Sequence, residues 1–560
     1  MSNPKSNVYD AIVVGSGISG GWAAKELCEK GLETLVIERG RNIDPAKDYH
    51  TAFKESWELP NRGEMDAAFR NANPIMGTVV NQANQHFFVK DAGHPYVQKK
   101  PFGWIRGYQV GGKSLMWARM TQRWSDLDFE ANVKEVVSID WPIRYRDIAP
   151  WYSYVEKFAG ITGNRDGLPQ IPDGEFLPPM ELTCMEIHFK SVIEKQFPGR
   201  NLVQGRCANL TQAHNGRGPC MFRHRCDRGC PFSGYFSSNT ATLPAAAATG
   251  KMTLRPDSVV HSVIYDEKSG KATGVRVIDS ETLQTTEYFA KLIFLNAGTL
   301  NTTLILLNST SNRFPNGLGN DSGVLGHYLM DHNYGGGAYA LYDGFQDKYY
   351  YGKRPTAAYI PRFRNFGNDR QTHFIRGYAY SVRGRRERGV EKEGAAPIGA
   401  AFKENLTKIG PWSLKLNGMG EHLPYFENHV ALSQDKTDQW GMPLLEIECE
   451  FKENEKNMSK DMANTAAEML EAAGCRNIEP HLSSRDPGRS IHEMGTARMG
   501  RDPRTSMLNG NNQMHAVKNV FVSDGACMTS SACQNPSLTY MALTARAANF
   551  AVSEMRKLNI

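Results

Sequence analysis

The chain has 560 residues, 40% hydrophobic and 22% charged, and this composition supports a large buried core in about two to four domain-sized units. Lys and Arg number 65 against 59 Asp and Glu, and a net charge of +6 is too small to indicate a nucleic-acid-binding surface. No run of about eighteen apolar residues occurs, so we expect no membrane-spanning helix. The opening MSNPKSNVYDAIVV lacks a charged leader followed by an apolar stretch, so a cytoplasmic location is the default expectation.

A βαβ unit is predicted at the start of the chain, in YDAIVVGSGISGGWAAKELCEKGLETLVIERG. Its first strand is a buried apolar run, Ala11 to Val14, which leads into a glycine-rich turn. A helix follows from about Ser19 to Glu29, and a second strand runs from Thr34 to Glu38. This order of elements is typical of a mononucleotide-binding half of a parallel sheet.

Four residues of this unit match a dinucleotide-binding fingerprint. Gly15 permits the tight turn, Gly17 lets the backbone approach a pyrophosphate, and Gly20 lets the helix pack closely on the strand. Glu38 ends the second strand, where its carboxylate can accept hydrogen bonds from ribose hydroxyls. The fingerprint does not separate FAD from NAD, but a single copy near the start of a long chain favours a flavoprotein.

The C-terminal region carries a candidate reaction centre. His492 lies in the glycine-flanked stretch SIHEMGTARMG, and its imidazole can take the proton from an alcohol whose carbon loses a hydride. Asn535 can hold the same hydroxyl by a hydrogen bond. Taken alone, however, a single histidine is more often structural, and an Asn-Pro pair is more often only a helix start.

A helix is predicted directly after Asn535, in QNPSLTYMALTARAANFAV. Asn535 is a favourable N-cap, and Pro536 suits the first turn because no N–H donor is needed there. The dipole of this helix would stabilise negative charge on a reduced flavin placed against its start. The preceding run NVFVSDGA predicts a strand whose end, at Asp524 and Gly525, presents backbone N–H groups to a cofactor phosphate or ribityl chain.

Three of the ten cysteines, Cys220, Cys226 and Cys230, lie in GPCMFRHRCDRGCPFSGY with the spacing C-x5-C-x3-C-P, whereas the other seven are scattered. A disulfide would leave one of the three thiols over and suits an oxidising compartment. Zinc would need a fourth ligand, for which the candidates are Cys207, His214 and His224. Closely spaced thiolates with proline after the last fit iron–sulfur ligation, although the spacing is not the standard ferredoxin one. The residues alone leave these three alternatives open.

Five stretches, in order along the chain, resemble the glucose–methanol–choline (GMC) family of FAD-dependent alcohol and sugar oxidoreductases. They are the opening βαβ unit, RGYQVGGKSLMWARM at 106–120, AGTLNTTLILLNST at 297–310, VLGHYLMDH at 324–332, and the C-terminal region, with its stretches 490–500 and 517–552, counted as one. The resemblance implies an α/β fold, α+β overall, with a Rossmann-like FAD-binding domain and a discontinuous substrate-binding domain of β-sheet and helices. The boundaries it implies are 1–53, 99–330 and 481–560 for the FAD-binding domain, which includes the Cys-rich segment 218–235, and 54–98 and 331–480 for the substrate-binding domain.

The resemblance also implies roles for individual residues. His492 takes the position of the catalytic histidine, and Asn535 takes the position of its His or Asn partner. The further residues expected at the flavin or its adenine are Arg106, Gly111, Gly112, Val259 and Val260. Asp331 and His332 are expected to organise the structure near the cofactor rather than to catalyse.

Met116 stands where some sugar-oxidising relatives carry a histidine that bonds covalently to FAD. A thioether is not that nucleophile, so FAD is expected to be dissociable.

The Cys-rich segment and the following PFSGYFSSNTATLPAAAATG resemble one branch of the family, the large subunits of bacterial multi-subunit sugar dehydrogenases. This branch includes FAD glucose, fructose, gluconate and glucoside 3-dehydrogenases. It implies that Cys220, Cys226 and Cys230 bind an iron–sulfur cluster of the [3Fe-4S] type, with Cys207 outside it. It further implies a small chaperone-like subunit that carries the export signal, a periplasmic location through co-export, and a cytochrome c that accepts the electrons.

The sequence therefore predicts an enzyme in which a hydride passes from a sugar hydroxyl to the flavin, with His492 as base, before electrons leave through the cluster. The C3 hydroxyl of glucosides and disaccharides is the favoured target, because the opening and C-terminal stretches look most like that group. Gluconate or another polyol is the alternative substrate. An oxidase that uses oxygen and keeps the cysteines for structure, and a flavin-binding protein without catalysis, remain as alternative functions.

Overall fold

The structure is a computed structural model that describes residues 7–348, 354–389, 397–483 and 485–560, so the first six residues of the expected leaderless start lie outside it. Its strands are β1 Val8–Val14, β2 Thr34–Ile37, β3 Val97–Gln98, β4 Met252–Arg255, β5 Ser258–Asp266, β6 Lys271–Asp279, β7 Thr285–Leu295, β8 Asn333–Tyr342, β9 Ala358–Ile360, β10 Tyr378–Arg388, β11 Ile409–Gly420, β12 His429–Thr437, β13 Pro443–Glu448, β14 Arg476–His481 and β15 Val520–Val522. Its helices are α1 Ile18–Glu29, α2 Pro45–Asp48, α3 Ala67–Ala72, α4 Asp126–Phe129, α5 Ala131–Lys134, α6 Tyr145–Ala159, α7 Cys184–Gln196, α8 Thr242–Ala248, α9 Thr299–Asn308, α10 Gly399–Thr407, α11 Glu453–Ala472 and α12 Ser537–Arg556.

The first sheet has the strand order β4-β2-β1-β7-β6-β5, and β15 pairs with the C-terminal half of β7. Strands β4, β2, β1, β7 and β15 are parallel, whereas β6 and β5 are antiparallel. The carboxyl ends of parallel strands share one edge of a sheet, and this edge is where such folds bind ligands. The glycine turn after β1, Glu38 after β2, Asn296 after β7 and Asp524 after β15 therefore meet there.

The βαβ unit forms because its strand is apolar on both faces and because a glycine in its helix lets the helix pack closely against the end of the strand. Ala11, Ile12 and Val13 are fully buried, as expected of a strand covered on both sides. A Cβ on Gly20 would lie 1.8 Å from the carbonyl oxygen of Gly15, so only glycine permits this packing. The predicted strand, helix and second strand are present, with ends that differ from the prediction by up to three residues.

The second sheet, β14-β8-β11-β10-β9, is built from residues between 333 and 481 and is covered by α11 and α7. A third small sheet, β12-β13-β3, includes the one strand found between residues 54 and 98, which otherwise form short helical turns. The α/β class predicted from the sequence is confirmed, and the exact domain boundaries stay a prediction. Among the helices of the described residues, none has the length and apolar character needed to cross a membrane.

Candidate active site

A cavity of about 470 Å³ opens at the carboxyl edge of the first sheet and extends towards the C-terminal loops. It brings together most of the residues that the sequence singled out, namely Gly15, Gly17, Glu38, Arg106, Gly112, Val260, His492, Asp524 and Asn535. Three more of the predicted cofactor residues adjoin this lining. Gly20 packs on Gly15, Gly111 donates its N–H to Ser16 Oγ at 2.9 Å, and Pro536 lies between the lining residues Asn535 and Ser537.

The glycine turn leaves room beside its backbone. A Cβ on Gly17 would meet no protein atom within 4 Å, so the space in front of this residue belongs to the cavity. The Glu38 carboxylate holds the turn, since it accepts hydrogen bonds from Ser16 N at 3.0 Å, Ser16 Oγ at 2.6 Å and Gly40 N at 3.0 Å. Burial raises the pKa of Glu38, and these three donors oppose that rise.

Asp524 ties the end of β15 to the start of α9. Its carboxylate accepts hydrogen bonds from Gly298 N at 2.9 Å, Thr302 Oγ1 at 2.6 Å and Ala526 N at 3.0 Å. Burial raises the pKa of this group to about 6. Asp524 thus shapes the cavity wall where the sequence predicted contact with a cofactor.

Several buried polar atoms of residues that line the cavity have no hydrogen-bond partner among the described residues. They are Arg39 Nε, Arg106 Nε, Arg119 Nε, Asn296 Oδ1, Glu493 Oε1 and Tyr540 OH. Buried polar groups are normally satisfied, so such a set indicates a polar molecule that supplies the missing partners. Together with the open space at Gly17, this lining fits FAD. Gly15 and Gly17 would hold its pyrophosphate, Glu38 a ribose, and Val260 the adenine.

His492 and Asn535 face each other in the same cavity. Asn535 Nδ2 lies 3.3 Å from His492 Nε2, although 43 positions separate the two residues in the chain. Burial, His332 and the positive charge of Lys113 lower the pKa of His492 well below its ordinary value of 6.5. The imidazole is therefore neutral near pH 7 and can accept a proton at Nε2.

The loop that carries His492 is held by one carboxylate. Asp331 accepts hydrogen bonds from Gly488 N at 2.7 Å, Ser490 N at 3.1 Å and His492 N at 3.0 Å, and also from Ser490 Oγ. Ile491 lies in the left-handed region at φ 64°, where a β-branched residue is strained. The loop keeps this conformation because Asp331 fixes the backbone on both sides of Ile491.

Asn535 is not the N-cap that the sequence predicted. Helix α12 begins at Ser537, Pro536 occupies the N-cap position, and no side chain caps the helix. The prediction was wrong by one residue because the Asn535 amide contacts His492 instead of the free N–H groups of the helix. The loop before Asn535 is held in place by Ser531. Its Oγ accepts a hydrogen bond from His422 N and donates one to the His422 carbonyl, each at 2.9 Å.

The Cys-rich segment lies beside the cavity. Asp227, between the second and third cysteine, lines the cavity and accepts a hydrogen bond from Asn84 Nδ2 at 2.8 Å. Arg228 donates to the carbonyls of Thr51 and Lys54 and so fixes the segment to the chain after α2.

The three cysteines of this segment, Cys220, Cys226 and Cys230, are free and partly buried. Burial raises the pKa of Cys220 to about 11 and also raises the pKa of Cys230. In the part of the chain that the structure describes, no three His, Cys, Asp or Glu side chains are arranged to hold a metal ion. The ligand set predicted from the sequence is therefore not assembled, and ligation would require the three sulfurs to converge.

Sequence reasoning missed Arg119, Lys113 and Tyr540, which all line the cavity. Lys113 Nζ pairs with Glu493 Oε2 at 3.2 Å. Arg119 stands at φ 64° and has no acidic partner among the described residues. All three lie within stretches that were singled out, but no pattern indicates which of their side chains face a cavity.

Known proteins resemble this chain in sequence and in fold. Two profiles described as GMC oxidoreductase match residues 9–334 and 424–544. The chain is 26% identical to 2-methyl-1,2-propanediol dehydrogenase from Mycolicibacterium austroafricanum, over 97% of this chain and 94% of that protein. It is 24% identical to the fructose dehydrogenase large subunit from Gluconobacter japonicus, over 100% of both chains.

The gluconate 2-dehydrogenase flavoprotein from Pantoea cypripedii is 25% identical, over 96% of this chain and 92% of that protein. Among solved structures, the chain superposes on a formate oxidase from Aspergillus oryzae with a TM-score of 0.63. That structure concerns the effect of a mutation on FAD modification. It is 15% identical, and the match covers 100% of both chains.

Proposed function

Since the chain belongs to the GMC oxidoreductase family, we propose that it is a dehydrogenase that oxidises a secondary hydroxyl of a sugar. The general activity is established: the family and the similar proteins show that the chain is an FAD-dependent oxidoreductase that acts on CH–OH groups of sugars or alcohols. The observation that carries the proposal is the contact of His492 with Asn535 inside the cavity. The C3 hydroxyl of glucosides and disaccharides is the favoured target, on the sequence resemblance alone.

The proposed chemistry assigns one task to each of these two side chains. The substrate hydroxyl donates its proton to His492 Nε2 and accepts a hydrogen bond from Asn535 Nδ2, taking the place between them. Bound FAD would supply the acceptor for the hydride of the carbon that bears this hydroxyl, so the alcohol would become a ketone while the O–H proton stays on the His492 imidazole. The lowered pKa keeps His492 neutral before reaction.

We propose further that Cys220, Cys226 and Cys230 ligate a [3Fe-4S] cluster that receives the electrons. The spacing supports this, as does the position of the segment, where Asp227 lines the cavity. The N–H of Gly234 points at Cys230 Sγ at 3.3 Å, a contact that stabilises a thiolate ligand. Iron and acid-labile sulfide in the purified protein test this point.

We propose two protein partners, a small chaperone-like subunit that carries the export signal and a cytochrome c that takes the electrons in the periplasm. Support comes from apolar side chains exposed around the Cys-rich segment. Phe53 is 64% exposed and Met221 58%, and the rings of Phe53 and Phe232 touch with centroids 6.2 Å apart. Exposed apolar patches of this kind mark protein contacts. Co-expression with the neighbouring subunits and co-purification test the proposal.

Arg119 favours a second candidate, a dehydrogenase for a sugar acid such as gluconate. Its guanidinium is buried at the cavity, and its Nε lacks a partner among the described residues. Arginine binds carboxylates in paired hydrogen bonds, so a substrate carboxylate would satisfy it. The two candidate functions predict opposite rankings of neutral glucosides and aldonates as substrates.

One anaerobic experiment separates these functions. The chain is purified with its neighbouring subunits, and flavin absorbance is followed after addition of glucosides, disaccharides, aldonates and polyols. The proposal predicts loss of flavin absorbance with a neutral glucoside, and the second candidate predicts the same loss with an aldonate only. An oxidase would instead form peroxide in stoichiometric amounts when oxygen is admitted, and a protein without catalysis would show no loss with any sugar.

A further inference from the structure

His332 lies behind the candidate base, directly before β8, and is almost completely buried. Its Nε2 is 2.5 Å from the carbonyl oxygen of Ala532, and its Nδ1 is 2.9 Å from Nδ1 of His492. The two rings are nearly perpendicular, at 85°, with centroids 4.9 Å apart. The backbone N–H of His332 also donates to Ser490 Oγ at 3.1 Å. Three groups therefore form a continuous line, from the Ala532 carbonyl through His332 to His492.

The protons along this line follow from what each atom can do. A carbonyl oxygen only accepts, so His332 Nε2 must carry the hydrogen of that bond. Burial lowers the pKa of His332 to about 4, which keeps its ring neutral and leaves Nδ1 without a proton. An unprotonated Nδ1 only accepts, so the hydrogen of the second bond belongs to His492 Nδ1. Neutral His492 then has a bare Nε2, the atom that meets Asn535 in the cavity.

We propose that His332 is a positioning residue that fixes the tautomer of His492, so that the unprotonated Nε2 faces the substrate side of the cavity. The catalytic value of this arrangement rests on the proposed role of His492 as base, whereas the arrangement itself does not. Without an acceptor at Nδ1, either nitrogen of His492 could hold the single proton, and a proton on Nε2 would block it as a base.

The arrangement also acts after the proton has been taken up. Imidazolium at His492 keeps its Nδ1–H bond to His332, which becomes a charge-assisted bond inside a buried site. A buried carboxylate performs this task in hydrolytic triads, where it both holds the tautomer and stabilises the charged ring. Here the acceptor is a neutral imidazole anchored by a backbone carbonyl. Lys113, whose charge acts on His492, pairs with Glu493, and the Asp331 carboxylate, which accepts from the N–H of His492, is engaged by further donors of the same loop.

The test uses the FAD-loaded protein labelled with ¹⁵N-histidine, because ¹⁵N shifts distinguish ring nitrogens with and without a proton. His492→Asn assigns the signals of His492 by their loss. The wild type is expected to show a protonated Nδ1 and a bare Nε2 at His492. A protonated Nε2 in the wild type would overturn the proposal, whatever the variants do.

Two variants of His332 form a matched pair. His332→Gln keeps an N–H near Ala532 but has no acceptor where Nδ1 stood, whereas His332→Asn places Oδ1 at that position. We expect the Gln variant to change the tautomer of His492 and to slow anaerobic flavin reduction about 100-fold. The Asn variant should largely keep the wild-type tautomer and the wild-type rate. An unchanged tautomer in the Gln variant would contradict the proposal.

Failure of the proposed function is distinguishable from failure of this inference. If no sugar reduces the flavin while the ¹⁵N shifts follow the expected pattern, the dehydrogenase proposal fails and the assignment of His332 stands. If sugars reduce the flavin but the shifts do not follow the pattern, the reverse holds.

Discussion

The reaction centre and the Cys-rich segment adjoin the same cavity, but only the reaction centre has its side chains already in contact with one another. Around His492, the backbone is held by Asp331, Nδ1 contacts His332 and Nε2 contacts Asn535. Around Cys220, Cys226 and Cys230, the loop is anchored to its neighbours, but the described residues contain no assembled metal-ligand set. Hydrogen bonds within the chain suffice to position a proton acceptor, whereas a cluster site needs the cluster itself to bring thiolates together.

The largest expected effect lies at the reaction centre. His492→Asn removes the proton acceptor, so the rate of anaerobic flavin reduction by the best sugar should fall about 1000-fold. Stopped-flow absorbance measures it. The matched variant is His515→Asn, which changes a histidine outside the cavity and should leave the rate unchanged. An equal rate in His492→Asn would remove this residue from the chemistry.

The next effect is at the Cys-rich segment. Cys226→Ser removes one proposed cluster ligand and should lower electron delivery to a cytochrome c acceptor about 100-fold, while flavin reduction by sugar stays within about threefold. Cys475→Ser, at a partly buried cysteine beside the second sheet, serves as the control. Unchanged cytochrome reduction in Cys226→Ser would mean that the cysteines are structural.

A smaller effect is expected at the glycine turn. Gly17→Ala places a methyl group in open cavity space and should weaken FAD binding about tenfold, equivalent to about 1.4 kcal/mol, without destabilising the apoprotein. Gly93→Ala is matched, because its Cβ also meets no protein atom within 4 Å. Titration of the apoprotein with FAD measures the affinity of each variant. Equal affinities would place the pyrophosphate elsewhere.

The smallest effect concerns the pH dependence. His492 works only when neutral, so kcat/KM falls as the pH drops through its pKa, which lies well below 6.5 in the wild type. Lys113→Met removes a positive charge that lowers this pKa, so the acidic limb should move to higher pH. Lys99→Met, at an exposed surface pair, should leave the profile in place. A shift to lower pH would contradict the assigned charge effect.

The sequence predicted the βαβ unit well, because its requirements are local. Gly15, Gly17 and Glu38 belong to one βαβ unit, and the spacing that identifies the unit also places them at one edge of the sheet. The pairing of His492 with Asn535 was inferred from the chemistry of the two side chains and from resemblance to a family, since no local pattern links residues 43 positions apart.

The contacts of His332 and Arg119 could not be predicted. Both depend on how separate loops meet in the folded chain. Asn535 shows the limit most clearly, because its local sequence favours a helix cap, whereas the folded chain places its amide against a histidine.

The central claim is that His492 and Asn535 form a centre that oxidises a sugar hydroxyl with FAD as acceptor. The most direct measurement is anaerobic flavin absorbance in the purified FAD-loaded wild type during addition of the sugar panel. The account predicts loss of absorbance with at least one glucoside or disaccharide. A fully loaded protein whose flavin stays oxidised with every sugar and polyol would contradict it.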